Sequence, residues 1–90
     1  MSFFVYLLIS EKSKKIVSYV GWTLDLKKRL RMHNNNLGAK FTKGRKWKLI
    51  YYECYLSKKE ARKREYILKK SYKLRKTIKE NYFNRINSEK

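Results

Sequence analysis

Ninety residues, of which 42% are hydrophobic and 16% aromatic, are enough for one domain around a small core and too few for a second. A single cysteine, Cys54, excludes an intrachain disulfide, and no Cys/His cluster has zinc spacing, a usage that fits a reducing cytoplasm. With 25 Lys and Arg against 7 Asp and Glu, the net charge is +18, which opposes compaction and favours polyanionic partners.

Phe3 to Ile9 is the longest apolar run and is rich in β-formers. It is too short to span a bilayer. It also lacks the basic start and small-residue cleavage site of a signal peptide, so it reads as a strand. Its unbroken hydrophobicity predicts burial on both faces, as a central strand has. After the polar stretch Ser10 to Lys15, Ile16 to Trp22 predicts a second strand and a hairpin.

Asp25 is an N-cap for a helix through about Asn34, and Asn34-Asn35-Asn36-Leu37-Gly38 closes it, with Gly38 suited to a left-handed turn. Gly38 to Lys48 is a basic loop carrying Lys40, Lys43, Arg45, Lys46 and Lys48. Trp47 to Tyr55 reads as a third strand. Ser57-x-x-Glu60 is a capping box opening a helix to about Lys70, and a further helix covers roughly Tyr72 to Asn81. No repeat or Pro/Gly/Ser-rich linker divides the chain, so one domain is expected over residues 1–82, with a flexible basic tail over 83–90.

In helical projection Leu26 and Leu30 face the core, and Arg29 and His33 lie one turn apart on the flank of that side. Arg29 is thus the cation of its helix closest to the packed face. It either snorkels at the core edge or holds an anion, and His33 is either a capping or a catalytic imidazole. On the later helix Ala61, Leu68 and Tyr72 share a stripe with Glu65 at its shoulder. A carboxylate beside apolar groups needs a cation or a metal, so Glu65 is either an ion-pair partner or a metal ligand.

Order and spacing add what single residues lack. Phe4-Val5-Tyr6, then Tyr19-Val20-Gly21, then Arg29, His33 and Glu65, resemble the GIY-YIG nuclease domain over roughly Ser2 to Lys79. Gly38-Ala39-Lys40-Phe41-Thr42 and Glu60-Ala61-Arg62-Lys63-Arg64-Glu65 are similar to the small standalone bacterial members.

The resemblance implies an α+β fold, a three-stranded antiparallel sheet flanked by α-helices, with the site across one sheet face. It implies Tyr6 and Tyr19 side by side, Arg29 on the scissile phosphate, and one divalent cation, Mg²⁺ or Mn²⁺, on Glu65. It also places His33 near the attacking water and Gly21 where the backbone approaches the phosphate closely. In that chemistry the phenol of Tyr19 takes the water proton with His33 assisting. The family's first motif usually opens with glycine where this chain has Phe4, and Trp22 stands where some relatives carry lysine. Leu7 to Ser18 is a slightly long spacer, and Asn81 and Asn84 compete for a later asparagine.

Lys69, Lys70, Lys73, Arg75, Lys76 and Lys79, with Arg62 and the loop cations, are expected to contact phosphates. DNA is favoured over RNA as partner, and shape preference over sequence preference. A membrane surface would call for one basic amphipathic helix, whereas these cations run the length of the chain, so no membrane partner is expected. The rival to a nuclease is a nucleic-acid-binding protein of the same fold without efficient catalysis.

Overall fold

The computed structural model describes residues 1–88. Its elements are β1 (Phe3–Lys12), β2 (Lys15–Thr23), α1 (Leu26–Asn34), a 3₁₀ turn (Lys40–Thr42), β3 (Lys48–Tyr55), α2 (Lys58–Lys70) and α3 (Tyr72–Ser88). The strands form one antiparallel sheet in the order β2-β1-β3, which is the α+β arrangement expected.

β1 is central for the reason its composition gives. Alternate side chains point to opposite faces, and both faces of this strand are covered. Val5, Leu7 and Ile9 enter one core with Val20, Ile50, Ala61 and Leu68. Tyr6 and Leu8 enter the other with Trp47, against Leu26 and Leu30 of α1. Leu7 is fully buried, so its truncation to Ala costs about 2–5 kcal/mol.

Backbone pairing outlasts the apolar run. It continues to Lys12↔Lys15, leaving only Ser13 and Lys14 as the turn, both at positive φ (54° and 65°), as a two-residue hairpin loop demands.

The caps hold as read. Asp25 Oδ1 accepts the Lys28 N–H at 3.1 Å, and Ser57 Oγ accepts that of Glu60 at 3.1 Å. A single residue, Ser71, separates α2 from α3, and its hydroxyl accepts the Leu74 N–H at 3.1 Å. Arg75 Nη1 donates to the carbonyl oxygens of Leu68 and Lys69, closing the end of α2.

Three expectations are corrected. Tyr72 does not join the stripe of Ala61 and Leu68: the chain turns at Ser71, and Tyr72 is exposed. The left-handed residue after α1 is Asn36 (φ 62°), not Gly38. A tail from residue 83 is replaced by helix up to Ser88, because Tyr82 and Phe83 pack on the α2/β core and carry α3 onward. The last two residues of that expected tail, 89–90, lie outside the described residues.

Candidate functional site

Tyr6 on β1 and Tyr19 on β2 share the sheet face under α1, with ring centroids 6.4 Å apart. Tyr6 is directly opposite Gly21 in the register, and its ring crosses the strand there. A Cβ on Gly21 would come within 2.6 Å of Tyr6 Cζ. The glycine therefore makes room for the Tyr6 phenol.

The Tyr6 hydroxyl lies 2.9 Å from His33 Nε2, and His33 Nδ1 lies 2.9 Å from Thr42 Oγ1. All three residues are buried, His33 and Thr42 completely. Thr42 Oγ1 donates its one hydrogen to the Ala39 carbonyl at 2.7 Å. A hydroxyl with its hydrogen so committed faces His33 as an acceptor. Hence Nδ1 carries the imidazole proton, and Nε2 accepts from the Tyr6 O–H.

Gly38 completes this arrangement, since a Cβ there would come within 2.8 Å of His33 Cε1. His33 thus bonds to Tyr6, not to Tyr19, whose ring only packs beside it at 5.1 Å.

The electrostatics follow from burial. Desolvation is the main cause that pushes the Tyr6 phenol up to about 12; Tyr19 and Glu65 add to the rise and the Arg29 guanidinium opposes it. Burial first, and the Arg29 charge second, hold the His33 imidazole below its usual 6.5. Histidine is therefore neutral at pH 7, as the hydrogen-bond chain requires.

Arg29 is the one half-buried cation of α1, Lys27, Lys28 and Arg31 being exposed. Its Nε is buried and has no hydrogen-bond partner among the described residues. A buried unpaired donor costs about 1–3 kcal/mol. The residue also lines a cleft of about 450 Å³ with Trp22, Thr23, Leu24, Asp25, Lys28 and Met32.

Glu65 is half-buried on α2, and among the described residues its Oε2 pairs with the Lys69 ammonium alone, at 3.4 Å. No group of three His, Cys, Asp or Glu side chains gathers among the described residues. A caged metal does not fit this donor set. A hard cation that keeps several waters and takes one carboxylate plus substrate phosphate oxygens does fit it.

The remaining predicted residues fall into separate surfaces. Lys40, Lys43 and Lys46 are exposed on the loop between α1 and β3, and Arg45 is half-buried there. Lys69 and Arg75 line a recess of about 270 Å³ with Ser18, Tyr19 and Val20, next to the aromatic cluster. Arg62 lines a shallow cleft with Lys58, Lys59 and Lys63, apart from the Tyr6–His33 pair. Lys70 rests over the Tyr66 ring and Lys73 is exposed.

Sequence reasoning passed over the residues that fix the loop. Asn34 accepts from the Trp47 N–H through Oδ1 and donates to the Trp47 carbonyl through Nδ2 at 3.1 Å. Asn36 Oδ1 accepts the Gly44 N–H at 2.8 Å, and the Trp47 indole donates to the Thr42 carbonyl at 2.9 Å. Asparagines after a helix read as turn formers, and only the fold shows what they hold. Glu53 was passed over too: it accepts from Arg64 Nε and Nη2 at 2.9 and 3.1 Å and from Tyr55 at 2.6 Å, with Tyr51 as a further donor. Burial, the largest single influence, pushes its carboxyl up, but the hydrogen bonds from Arg64, Tyr51 and Tyr55 and the Arg64 charge together hold it below the usual range.

Comparison with known proteins matches residues 2–81 to the GIY-YIG catalytic domain. A UPF0213 protein of Clostridium perfringens is 48% identical over 68 residues, covering 74% of this chain and 70% of that protein. One of Bacillus pumilus is 48% identical over 52 residues, covering 57% of this chain and 53% of the relative, so that match spans about half the relative's length. The solution NMR structure of a UPF0213 protein from Bacillus halodurans is 32% identical, covering 86% of this chain and 80% of that one, with a TM-score of 0.47. The match across nearly the whole chain is decisive: this protein belongs to the GIY-YIG catalytic domain family.

Proposed function

We propose that the protein is a metal-dependent endonuclease that hydrolyses phosphodiester bonds in nucleic acid, DNA before RNA. The observation that carries this reading is a guanidinium with a buried, unpartnered Nε beside a buried phenol–imidazole pair. The open Nε is a donor that a phosphate oxygen can take up.

In this reading Arg29 binds a non-bridging phosphoryl oxygen and stabilises the charge that builds there during attack. The Tyr6 oxygen takes a proton from the attacking water while its own proton passes to His33 Nε2. The imidazolium so formed keeps its Nδ1–H on Thr42. This assigns to Tyr6 the proton transfer that sequence reasoning gave to Tyr19, because Tyr6 is the phenol bonded to the imidazole. Tyr19 packs beside both rings and holds them in place. Glu65 is the residue that would hold the divalent ion, which supplies charge neutralisation at the leaving oxygen when bound. The exposed lysines position the strand.

The test is cleavage of labelled single-stranded, duplex and branched DNA, and of RNA, with Mg²⁺ or Mn²⁺. Metal-dependent cutting that is lost in Arg29→Ala and Glu65→Ala, with binding retained, is the expected result. Tight, salt-sensitive binding without cutting by the unsubstituted protein would leave a binding module instead.

A further inference from the structure

Four aromatic side chains of the described residues are largely exposed: Phe41, Tyr52, Tyr66 and Tyr72. Tyr66 and Tyr72 each have a lysine over the ring, and Tyr52 meets Phe4 edge-on. Phe41 differs from all three. It lies nearly parallel to Tyr19, with an interplanar angle of 20° and centroids 6.2 Å apart, and it is 57% exposed. Among the described residues no Lys or Arg sits over its ring.

The backing of this ring is rigid. Tyr19 is held edge-on by Trp47 at 6.3 Å, and Trp47 also contacts Phe41 at 6.2 Å. Trp47 is 4% exposed, and its indole is tied to the Thr42 carbonyl. Phe41 itself stands in the 3₁₀ turn whose next residue, Thr42, is fully buried. An exposed ring fixed this way loses little entropy when a second flat group stacks on it.

Positive charge lies close to the ring. Lys40 and Lys43 flank Phe41 in the chain and are exposed. Lys69 and Arg75 line the recess at Tyr19, the ring beneath it. An exposed aromatic face with cations beside it in the chain is suited to a base whose neighbouring phosphates those cations can meet.

We propose that Phe41 is a stacking platform for one unpaired nucleobase, so that the preferred substrate exposes an unstacked nucleotide next to the cut, as a single strand, flap or loop does. This deepens the nucleic-acid reading above and rests on it. A base within continuous duplex has no free face to offer and would bind through its phosphates alone.

The experiment uses the whole chain without metal and short oligonucleotides carrying the fluorescent base 2-aminopurine. The base is placed in a single strand, in a flap and in a perfect duplex, in DNA and in RNA versions. The unsubstituted protein is expected to alter the fluorescence of the unpaired base, and Phe41→Ala to weaken single-strand and flap binding by roughly 5- to 150-fold. Phe41→Trp is expected to restore it, and duplex affinity to stay the same in all three proteins. The DNA and RNA versions identify the sugar.

Equal single-strand affinity in Phe41→Ala and the unsubstituted protein would overturn the platform. So would a parallel loss on duplex and single strand, which is what a mere cover over Tyr19 would produce. A working platform on a protein that never cuts would remove the nuclease reading and leave this one standing. Cutting with no dependence on Phe41 would do the reverse.

Discussion

His33 Nδ1 donates to Thr42 Oγ1 over 2.9 Å, and that bond decides what the opposite ring nitrogen does. Without it either tautomer is available, and Nε2 is no longer fixed as the acceptor for Tyr6. Thr42→Val keeps the volume and removes the acceptor. It is expected to cost about 1–3 kcal/mol of stability by leaving a buried N–H unpaired, and to lower kcat far more than substrate affinity. Thr42→Ser is expected to retain both. Chemical denaturation beside single-turnover cleavage checks this, and equal kcat in Val and Ser variants would count against the relay.

Gly21 and Gly38 have separate steric roles in one hydrogen-bond chain: the first leaves room for Tyr6, the second for His33. Alanine at either position is expected to destabilise by about 1–3 kcal/mol through overpacking. Activity is expected to fall in both, since each displaces one end of the Tyr6–His33 bond. Gly44→Ala is the contrast. No atom crowds a Cβ there, so its cost comes from the backbone at φ 78°, and cleavage is expected to survive. Melting temperatures and rates for the three variants would separate the two kinds of glycine.

Arg29 is predicted to trade stability for chemistry. Because its buried Nε has no partner, Arg29→Met is expected to leave the melting temperature unchanged or raise it, while cleavage falls by roughly 10²–10³-fold, as when one oxyanion donor is lost. A large fall in melting temperature would mean instead that the guanidinium is part of the scaffold.

The pH dependence has a definite sign. His33 is held below 6.5 in the folded chain, so below that pH the unfolded chain binds more protons. Stability therefore rises with pH across the window from the depressed folded value up to 6.5, and is lost as pH falls through it. Tyr6, Tyr19, Arg29 and Thr42 face the ring, and none of the four carries a carboxylate to reverse this. Thermal melts from pH 7 to 5 are expected to decline less in His33→Gln than in the unsubstituted protein. The acid limb of cleavage is likewise expected below 6.5.

The Glu53–Arg64 pair serves as a structural control. Arg64→Ala leaves a half-buried carboxylate with only phenols as donors, and is expected to cost about 1–2 kcal/mol once solvent screening is allowed for. Cleavage per folded molecule is expected to be unchanged. A selective loss of rate would place this pair in the chemistry.

Much of the fold was legible because its signals are local. Phe3 to Ile9 announced a central strand, and Asp25 and Ser57 marked helix starts that hydrogen bonds bear out. The far end of α3 was not legible. Its apolar residues, Tyr82, Phe83 and Ile86, are sparse among polar ones, and what holds them is a sheet distant in sequence. At the candidate site, the names of Tyr6, Arg29, His33 and Glu65 came from a family resemblance carried by their order and spacing. Which phenol meets His33 did not, because cross-strand register decides it. Thr42 stood in the Gly38–Thr42 stretch, but its role was not legible for a related reason: a threonine in a basic loop carries no sign that it will be fully buried against an imidazole.

The asparagine ties of Asn34 to both backbone groups of Trp47, and of Asn36 to Gly44, reach beyond architecture. Fixing a residue's backbone costs about 1–2 kcal/mol of conformational entropy, and here that cost falls within folding itself. On the proposed reading, the basic loop would meet a phosphate chain already in shape. Ionic strength, which screens long-range attraction to such a surface, then becomes the natural control on how fast substrate arrives.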